Sequence, residues 1–292
     1  MKSATTASRT AVLVCQGRAV ADMWDDVGPF SDPTAARLLL DDERVAVDLA
    51  SDDAPPPGWG LRMEWEMLRA TAEVIVPRTV AIDDAVRERV SDQVVILGAG
   101  LDGRAWRMTE LAGSDVFEVD HPASQQAKRS RAEGMTPAAR DVRFVPVDFG
   151  RDRLDEALVA QGHRTDGPTT WVWEGVVPYL DRTDVEATMR VIDDLSAPGS
   201  RLIVNYQAPS TSAALGRLVM GAMTTLSRRP NPLAGEPTRS TWTAEAMREL
   251  LETHGFTVAR DDDLLALAVE SGRPVRQRRS LANGRVVVAD LS

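Results

Sequence analysis

The sequence predicts an α/β fold, a parallel sheet with helices on both faces. Two observations carry this. From Val94 onward, short apolar runs alternate with helical stretches, the rhythm of strand–helix–strand units that close a parallel sheet. The first of those runs, Val94 to Leu97, stops at Gly98-Ala99-Gly100, passes Leu101, Asp102 and Gly103, and restarts as a helix from Arg104 to Met108. A strand, a tight turn and a helix start in that order bring backbone close to a ligand, because glycine has no Cβ and tolerates positive φ. The free N–H groups at the helix start favour an anionic or polar ligand group.

The elements follow in chain order. Residues 1–10 are polar and are expected to fray. Ala11 to Trp24 reads as a helix, and Gly28 to Pro33 as a turn. Ala35 to Leu49 reads as a second helix, capped by Asp32 or Thr34. Ser51 to Gly60, with Pro55, Pro56 and Pro57, is a loop. Leu61 to Val90 is a long helical pattern interrupted at Pro77. Residues 1–90 are therefore expected to be a helical lid or cap, whose apolar faces need something to cover. Residues 91–292 are expected to be the α/β core. Its strands are Val94–Leu97, Asp115–Val119, Arg143–Val147, Thr170–Trp173 and Arg201–Tyr206, with Phe256–Arg260 and Arg285–Ala289 as a late pair. Helices are expected over Pro122–Glu133, Leu154–Ala160, Thr183–Leu195 and Thr243–His254, the last closed by Gly255. Residues 208–240 form an insertion after strand five, with a helical stretch at Ala213–Leu226, and are expected to form part of an acceptor pocket.

Composition narrows the function. The chain has 292 residues, 43% hydrophobic and 27% charged, as ordinary globular proteins do. A net charge of −10 disfavours a nucleic-acid partner, which needs a positive footprint. The basic cluster Arg273, Arg276, Arg278 and Arg279 reads as a solvated turn. With the single cysteine Cys15 no intrachain disulfide and no cysteine-based metal site can form. The three histidines, His121, His163 and His254, have no ligand spacing. The apolar run Ala11–Cys15 is too short for a signal segment or a membrane span, so no membrane partner and a cytoplasmic setting are expected.

Successive strands end in the Gly98–Gly103 loop, Asp120, Asp148 and Glu174. In open α/β sheets the ligand lies outside those carboxyl ends. A nucleoside needs a carboxylate on its ribose hydroxyls, and Asp120 stands where that job falls. Asp148 can accept from an adenine amino group. The loop also fits G-x-G-x-x-G with Asp120 near the dinucleotide spacing, which suits NAD as well. Against NAD, a long helical segment precedes the loop, and no His or Lys–Tyr pair stands near a later strand end.

Further stretches resemble the leucine carboxyl methyltransferase family, S-adenosylmethionine-dependent O-methyltransferases with bacterial homologues that act on natural products. They are Val76-Pro77-Arg78-Thr79 with Ile82-Asp83-Asp84, the Gly-x-Gly-x-Asp-x-Arg pattern within Val95–Arg107, and Val116–Asp120 with Pro122 and Lys128. Val145–Asp148, Trp173–Val176 with Pro178-Tyr179-Leu180, and Asn205-Tyr206 complete the set. The resemblance spans roughly residues 11 to 260. It implies a Rossmann-like class I methyltransferase sheet and S-adenosyl-L-methionine as cofactor. It implies that Arg78 and the Gly98, Ala99 and Gly100 backbone hold the methionine carboxylate, with Arg18 in the place of a family lysine. Asp120 would bind the ribose, Asp148 with Phe149 the adenine, and Glu174 would face the cofactor's amino group or the transfer centre. His121 would sit beside the adenosine. Two departures stand out. Gly103 is found where Thr or Ser is usual, which is expected to loosen the turn. Val177-Pro178 precedes Tyr179, which is expected to reshape the substrate side.

A carboxylate nucleophile is ionised at neutral pH and needs no general base, whereas a phenol or alcohol does. Scarce histidine therefore leans towards methylation of a carboxylate, in a small-molecule natural product or a peptide, over a hydroxyl. Glu174, Tyr179 and Tyr206 are the catalytic candidates, and Asn205 is a further candidate to orient the acceptor. Trp24, Trp59, Trp65 and Trp242 fall where they could line its pocket. The alternatives are an NAD-dependent oxidoreductase and a non-catalytic interaction protein that kept the fold.

Overall fold

The computed structural model describes residues 7–25, 27–149, 151–209, 239–270, 272 and 275–292. The sequence-predicted helix at Ala213–Leu226, with most of the 208–240 insertion, lies outside the described residues.

Seven strands form one sheet: β1 (Gln93–Leu97), β2 (Asp115–Asp120), β3 (Asp141–Pro146), β4 (Thr169–Trp173), β5 (Arg201–Gln207), β6 (Phe256–Asp263) and β7 (Gly284–Leu291). Their order is β3-β2-β1-β4-β5-β7-β6. β1 to β5 run parallel, and β7 runs antiparallel between β5 and β6. β1 and β4 are buried at every residue, which is why they read as continuous apolar runs rather than alternating ones. Leu97 pairs with Val119 on one side and Trp173 on the other. That register brings the chain after β1, the end of β2 and the residue after β4 to one edge. The strand order reverses between β1 and β4, the switch point at which open α/β sheets bind ligands.

The helices that cover the sheet are α1 (Arg9–Asp22), α2 (Asp41–Ser51), α3 (Trp59–Glu88), α4 (Arg104–Arg107), α5 (Pro122–Arg131), α6 (Leu154–Ala160), α7 (Arg182–Asp194), α8 (Ala244–Thr253), α9 (Leu264–Glu270) and α10 (Arg278–Asn283). One sheet face packs Val95, Phe117, Trp171 and Leu202 against Leu158 of α6, Met189 of α7 and Leu251 of α8. The other packs Val94, Ile96, Val172 and Ile203 against Ile82 and Ala85 of α3, Leu264 of α9 and Leu281 of α10. A third cluster joins α1, α2 and the first half of α3, with Leu38, Leu39, Trp65, Leu68 and Leu101 among its members.

Three expectations are corrected. α3 runs unbroken through Pro77. Proline in a helix interior costs about 3 kcal/mol, but Ile75, Val76 and Ile82 around it are buried, and each buried aliphatic returns about 1.5–3 kcal/mol. The helix expected at Ala35–Leu49 is divided. A short turn of 3-10 helix covers Ala36–Leu38, and α2 starts afresh at Asp41. Leu38 and Leu39 turn inward into the third cluster, and Glu43 Oε2 accepts from Leu40 N–H at 2.9 Å to begin the new helix. The late strands are longer than their apolar cores suggested, and α9 and α10 were not anticipated. Among the described residues, no helix is long and apolar enough to cross a membrane.

Candidate active site

A cleft of about 260 Å³ opens over the tips of β1, β2 and β4. Its floor is Gly98, Ala99, Gly100, Leu101 and Asp102. Asp120, Phe149 and Glu174 stand around it, and Ala11, Val14 and Arg18 of α1, Arg78 of α3 and Tyr179 close it. Two glycines are needed by shape. Gly98 has φ of +66°, and a Cβ there would stand 2.3 Å from Val176 Cγ2; Gly100 has φ of +46° and would meet Ala11 Cβ at 3.1 Å.

Glu174 is the electrostatic centre. Its Oε1 lies 2.9 Å from Arg18 Nη2 and 2.8 Å from Arg78 Nε, and its Oε2 lies 2.7 Å from Arg104 Nη1. Arg104 is also paired with Asp102, and its Nε donates to Asp83 Oδ1 at 2.7 Å. Arg107 Nη1 donates to Asp83 Oδ2 at 2.6 Å, and its Nε lies 3.5 Å from Asp32 Oδ2. Arg18, Arg78, Arg104 and Arg107 are thus set against Asp32, Asp83, Asp102 and Glu174, and none of these side chains is more than 13% exposed. Burial raises the Glu174 carboxyl, but Arg18, Arg104 and Arg78 outweigh it and hold the group well below the usual carboxylate range. Asp102 is lowered likewise, its burial outweighed by Arg104 and Arg18. Burial, reinforced by neighbouring arginines, lowers Arg78 against the pull of Glu174.

Asp120 stands on the opposite wall. Its Oδ2 accepts from Gly100 N–H at 2.5 Å and its Oδ1 from His121 N–H at 2.6 Å. The two backbone donors fix the carboxylate's orientation and leave lone pairs for further donors. Burial nevertheless raises this carboxyl above its usual value. Behind it, Lys128 Nζ lies 2.6 Å from Glu118 Oε2, with both side chains almost fully buried.

The structure brings Arg18, Arg78, Gly98, Ala99, Gly100, Asp120, Phe149, Glu174 and Tyr179 together around this cleft. The other candidates are not among its lining residues. Tyr206 is fully buried. Its hydroxyl donates to Asp261 Oδ2 at 2.7 Å and accepts from Arg285 Nε at 3.1 Å, so it is tied into the sheet, away from the cleft lining. Asn205 Nδ2 donates to Arg285 O in the same region. His121 is exposed and uses Nδ1 to accept from Ala123 N–H at 3.2 Å, capping α5. Asp148 lies outside the cleft lining, near Arg151. Trp59 is 63% exposed and Trp242 is buried beneath Arg182. Trp24 and Trp65 flank Arg69 beside a separate cavity of about 390 Å³. Arg104, Asp102 and Asp83 were not singled out from the sequence. The signal was present in the Gly-x-Gly-x-Asp-x-Arg pattern and in Ile82-Asp83-Asp84, but nothing local says that an arginine there is buried.

Comparison with known proteins decides the family. The leucine carboxyl methyltransferase family model matches residues 11–193. The chain belongs to the leucine carboxyl methyltransferase family. It is 33% identical over 225 residues to a Mycobacterium sp. (strain KMS) protein named as an S-adenosyl-L-methionine-dependent methyltransferase, covering 73% of this chain and 70% of that one. A Mycobacterium bovis (strain BCG / Pasteur 1173P2) protein with the same name is 36% identical over 214 residues, covering 68% and 66%. Among solved structures, a Thermobifida fusca YX protein described as a methyltransferase aligns with a TM-score of 0.53 at 17% identity, over 93% of this chain and 94% of that one. That last likeness concerns the fold, a class I methyltransferase sheet.

This chain is an S-adenosylmethionine-dependent methyltransferase of that family, and the cleft fits the cofactor. Arg18 Nε is buried without a hydrogen-bond partner among the described residues, in a cleft that a carboxylate could enter. Asp120 is oriented with acceptor capacity to spare. Bound there, the cofactor supplies an electrophilic methyl on a sulfonium. Arg18 and Arg78 would hold its amino-acid end and Asp120 its ribose, so that the chain's part would be to align it.

Proposed function

We propose that this protein transfers a methyl group to a carboxylate of a small-molecule or peptide acceptor. The observation that carries the reading is the scarcity of bases among the described residues of the cleft, where the carboxylates of Asp102, Asp120 and Glu174 are already engaged by arginines or backbone N–H groups. Among the described residues lining the cleft there is no histidine and no lysine. Glu174, the carboxylate nearest the arginines, is held ionised by all three of them. Its role is to place Arg18 and Arg78. A carboxylate acceptor arrives already ionised and needs only alignment, whereas a hydroxyl needs proton removal. Tyr179 lines the cleft beside Gly175 and Val176 and is the candidate to orient the acceptor.

The pH profile of kcat/KM tests this. With a carboxylate acceptor the profile should be flat between about pH 6 and 9, since the carboxylate is ionised throughout. A rate that climbs tenfold per pH unit across that window would point to a hydroxyl acceptor and overturn the reading.

A further inference from the structure

The backbone of Gly103 does not account for the glycine. Its φ of −98° and ψ of −1° are open to any residue. The surrounding space does account for it. A Cβ on Gly103 would stand 1.9 Å from Thr34 Oγ1, 3.0 Å from Asp32 Oδ1 and 3.2 Å from Thr34 Cβ. A side chain at Gly103 would require the Thr34 hydroxyl to shift. Thr34 is 6% exposed, and its hydroxyl donates to Asp32 Oδ1 at 2.6 Å. Asp32 is held in turn: its N–H donates to Asp22 Oδ1 at 2.7 Å, and its Oδ2 lies 3.5 Å from Arg107 Nε. The hydroxyl at this point therefore comes from the N-terminal segment and not from the glycine loop.

We propose that Thr34 is a positioning residue for the cofactor site, its hydroxyl filling the space left open by Gly103 and seating the N-terminal segment against the start of α4. The route to the cleft is short. Gly103 precedes Arg104, whose N–H donates to Asp102 Oδ1 at 2.7 Å and whose Nη1 reaches Glu174 Oε2 at 2.7 Å. Glu174 Oε1 in turn holds Arg18 and Arg78. A displaced α4 start moves Arg104, then Glu174, then both arginines that line the cleft. Thr34 itself is not among the lining residues, so it acts through this chain of contacts. The expected loosening of the turn by Gly103 is thereby reversed, because the space is filled from outside the loop. The inference rests on the cofactor assignment and is independent of the acceptor.

The test is S-adenosylhomocysteine binding by calorimetry, well below the unfolding temperature, with thermal unfolding followed for each variant. Wild-type protein is measured first, and no binding there would reject the cofactor assignment itself. Gly103→Ala should weaken binding about tenfold or more, since misplacement of a supporting group by an ångström has effects of that size. Adding Thr34→Gly should restore most of the loss, so that the two changes are strongly non-additive. Thr34→Ala, which opens space without a clash, should fold and bind about threefold to tenfold more weakly, with Thr34→Ser returning to wild type. Additive effects in the pair, or a Thr34→Ala variant that loses melting temperature but keeps wild-type affinity, would overturn the proposal.

Discussion

Replacing Glu174 by Gln removes one negative charge from a buried set in which Arg18, Arg78, Arg104 and Arg107 balance Asp32, Asp83, Asp102 and Glu174. Three arginine contacts, at 2.9, 2.8 and 2.7 Å, lose their charged partner together. Arg18 and Arg78 have no other ion-pair partner among the described residues. Removing one partner of a buried pair costs about 3–5 kcal/mol, because the remaining charge is left uncompensated. The assay is urea unfolding of wild type and variant at neutral pH. Acid gives an internal control. The folded Glu174 carboxyl lies well below its ordinary value of 4.5, so its contribution is complete above that value and is lost as pH falls towards the folded one. The gap between wild type and Gln should therefore stay constant down to about pH 5 and narrow below it. A loss under about 1 kcal/mol, the size of a surface ion pair, would refute the claim that Glu174 holds the arginines in place.

Asp120→Asn should keep the fold and weaken S-adenosylhomocysteine binding by about tenfold to a hundredfold, as one charge-assisted hydrogen bond is worth about 1.5–3 kcal/mol. Calorimetry would show it, and unchanged affinity would remove Asp120 from the ribose. His163 is buried between Phe117 and Trp171, and burial, with Arg164, lowers its pKa from 6.5 to about 4. The unfolded chain therefore binds the extra proton first, and stability should fall as pH drops from 6.5 towards 4, by about 2 kcal/mol between pH 7 and 5. Urea unfolding of His163→Phe should lack that drop. Lys128→Met leaves Glu118 buried without its 2.6 Å partner and should cost about 3–5 kcal/mol, whereas Lys128→Met with Glu118→Leu should recover much of it.

The sheet was legible because its strands are buried on both faces and so appear as unbroken apolar runs; β1 and β4 are the clearest cases. The strand tips were legible for the same reason, since a carboxylate directly after such a run marks the ligand edge. Which tip residues face the cleft was not legible. Tyr206 stands next to the last residue of β5 and Asp120 ends β2, but β7 returns antiparallel beside β5 and sets Arg285 opposite Tyr206. That pairing draws the hydroxyl into a polar cluster with Asp261. The convergence of Arg18, Arg78 and Arg104 on one carboxylate joins residues from α1, α3, α4 and the tip of β4. No local pattern reports contacts of that range. Gly103 shows the limit most clearly: its sequence context suggested conformational freedom, and the reason for the glycine lies in Thr34, far back along the chain.

The chemistry of the transferred methyl tests the proposed function most directly. The protein would be incubated with methyl-labelled S-adenosylmethionine and an acceptor that carries both a carboxylate and a hydroxyl, and the product treated with mild alkali. A methyl ester hydrolyses to volatile methanol under those conditions, and a methyl ether does not. The cleft around Glu174 and Arg78, with no histidine or lysine among its described lining residues, predicts that the label is released as methanol. Label that stays on the acceptor through alkali would mean that a hydroxyl was methylated, and would contradict the account.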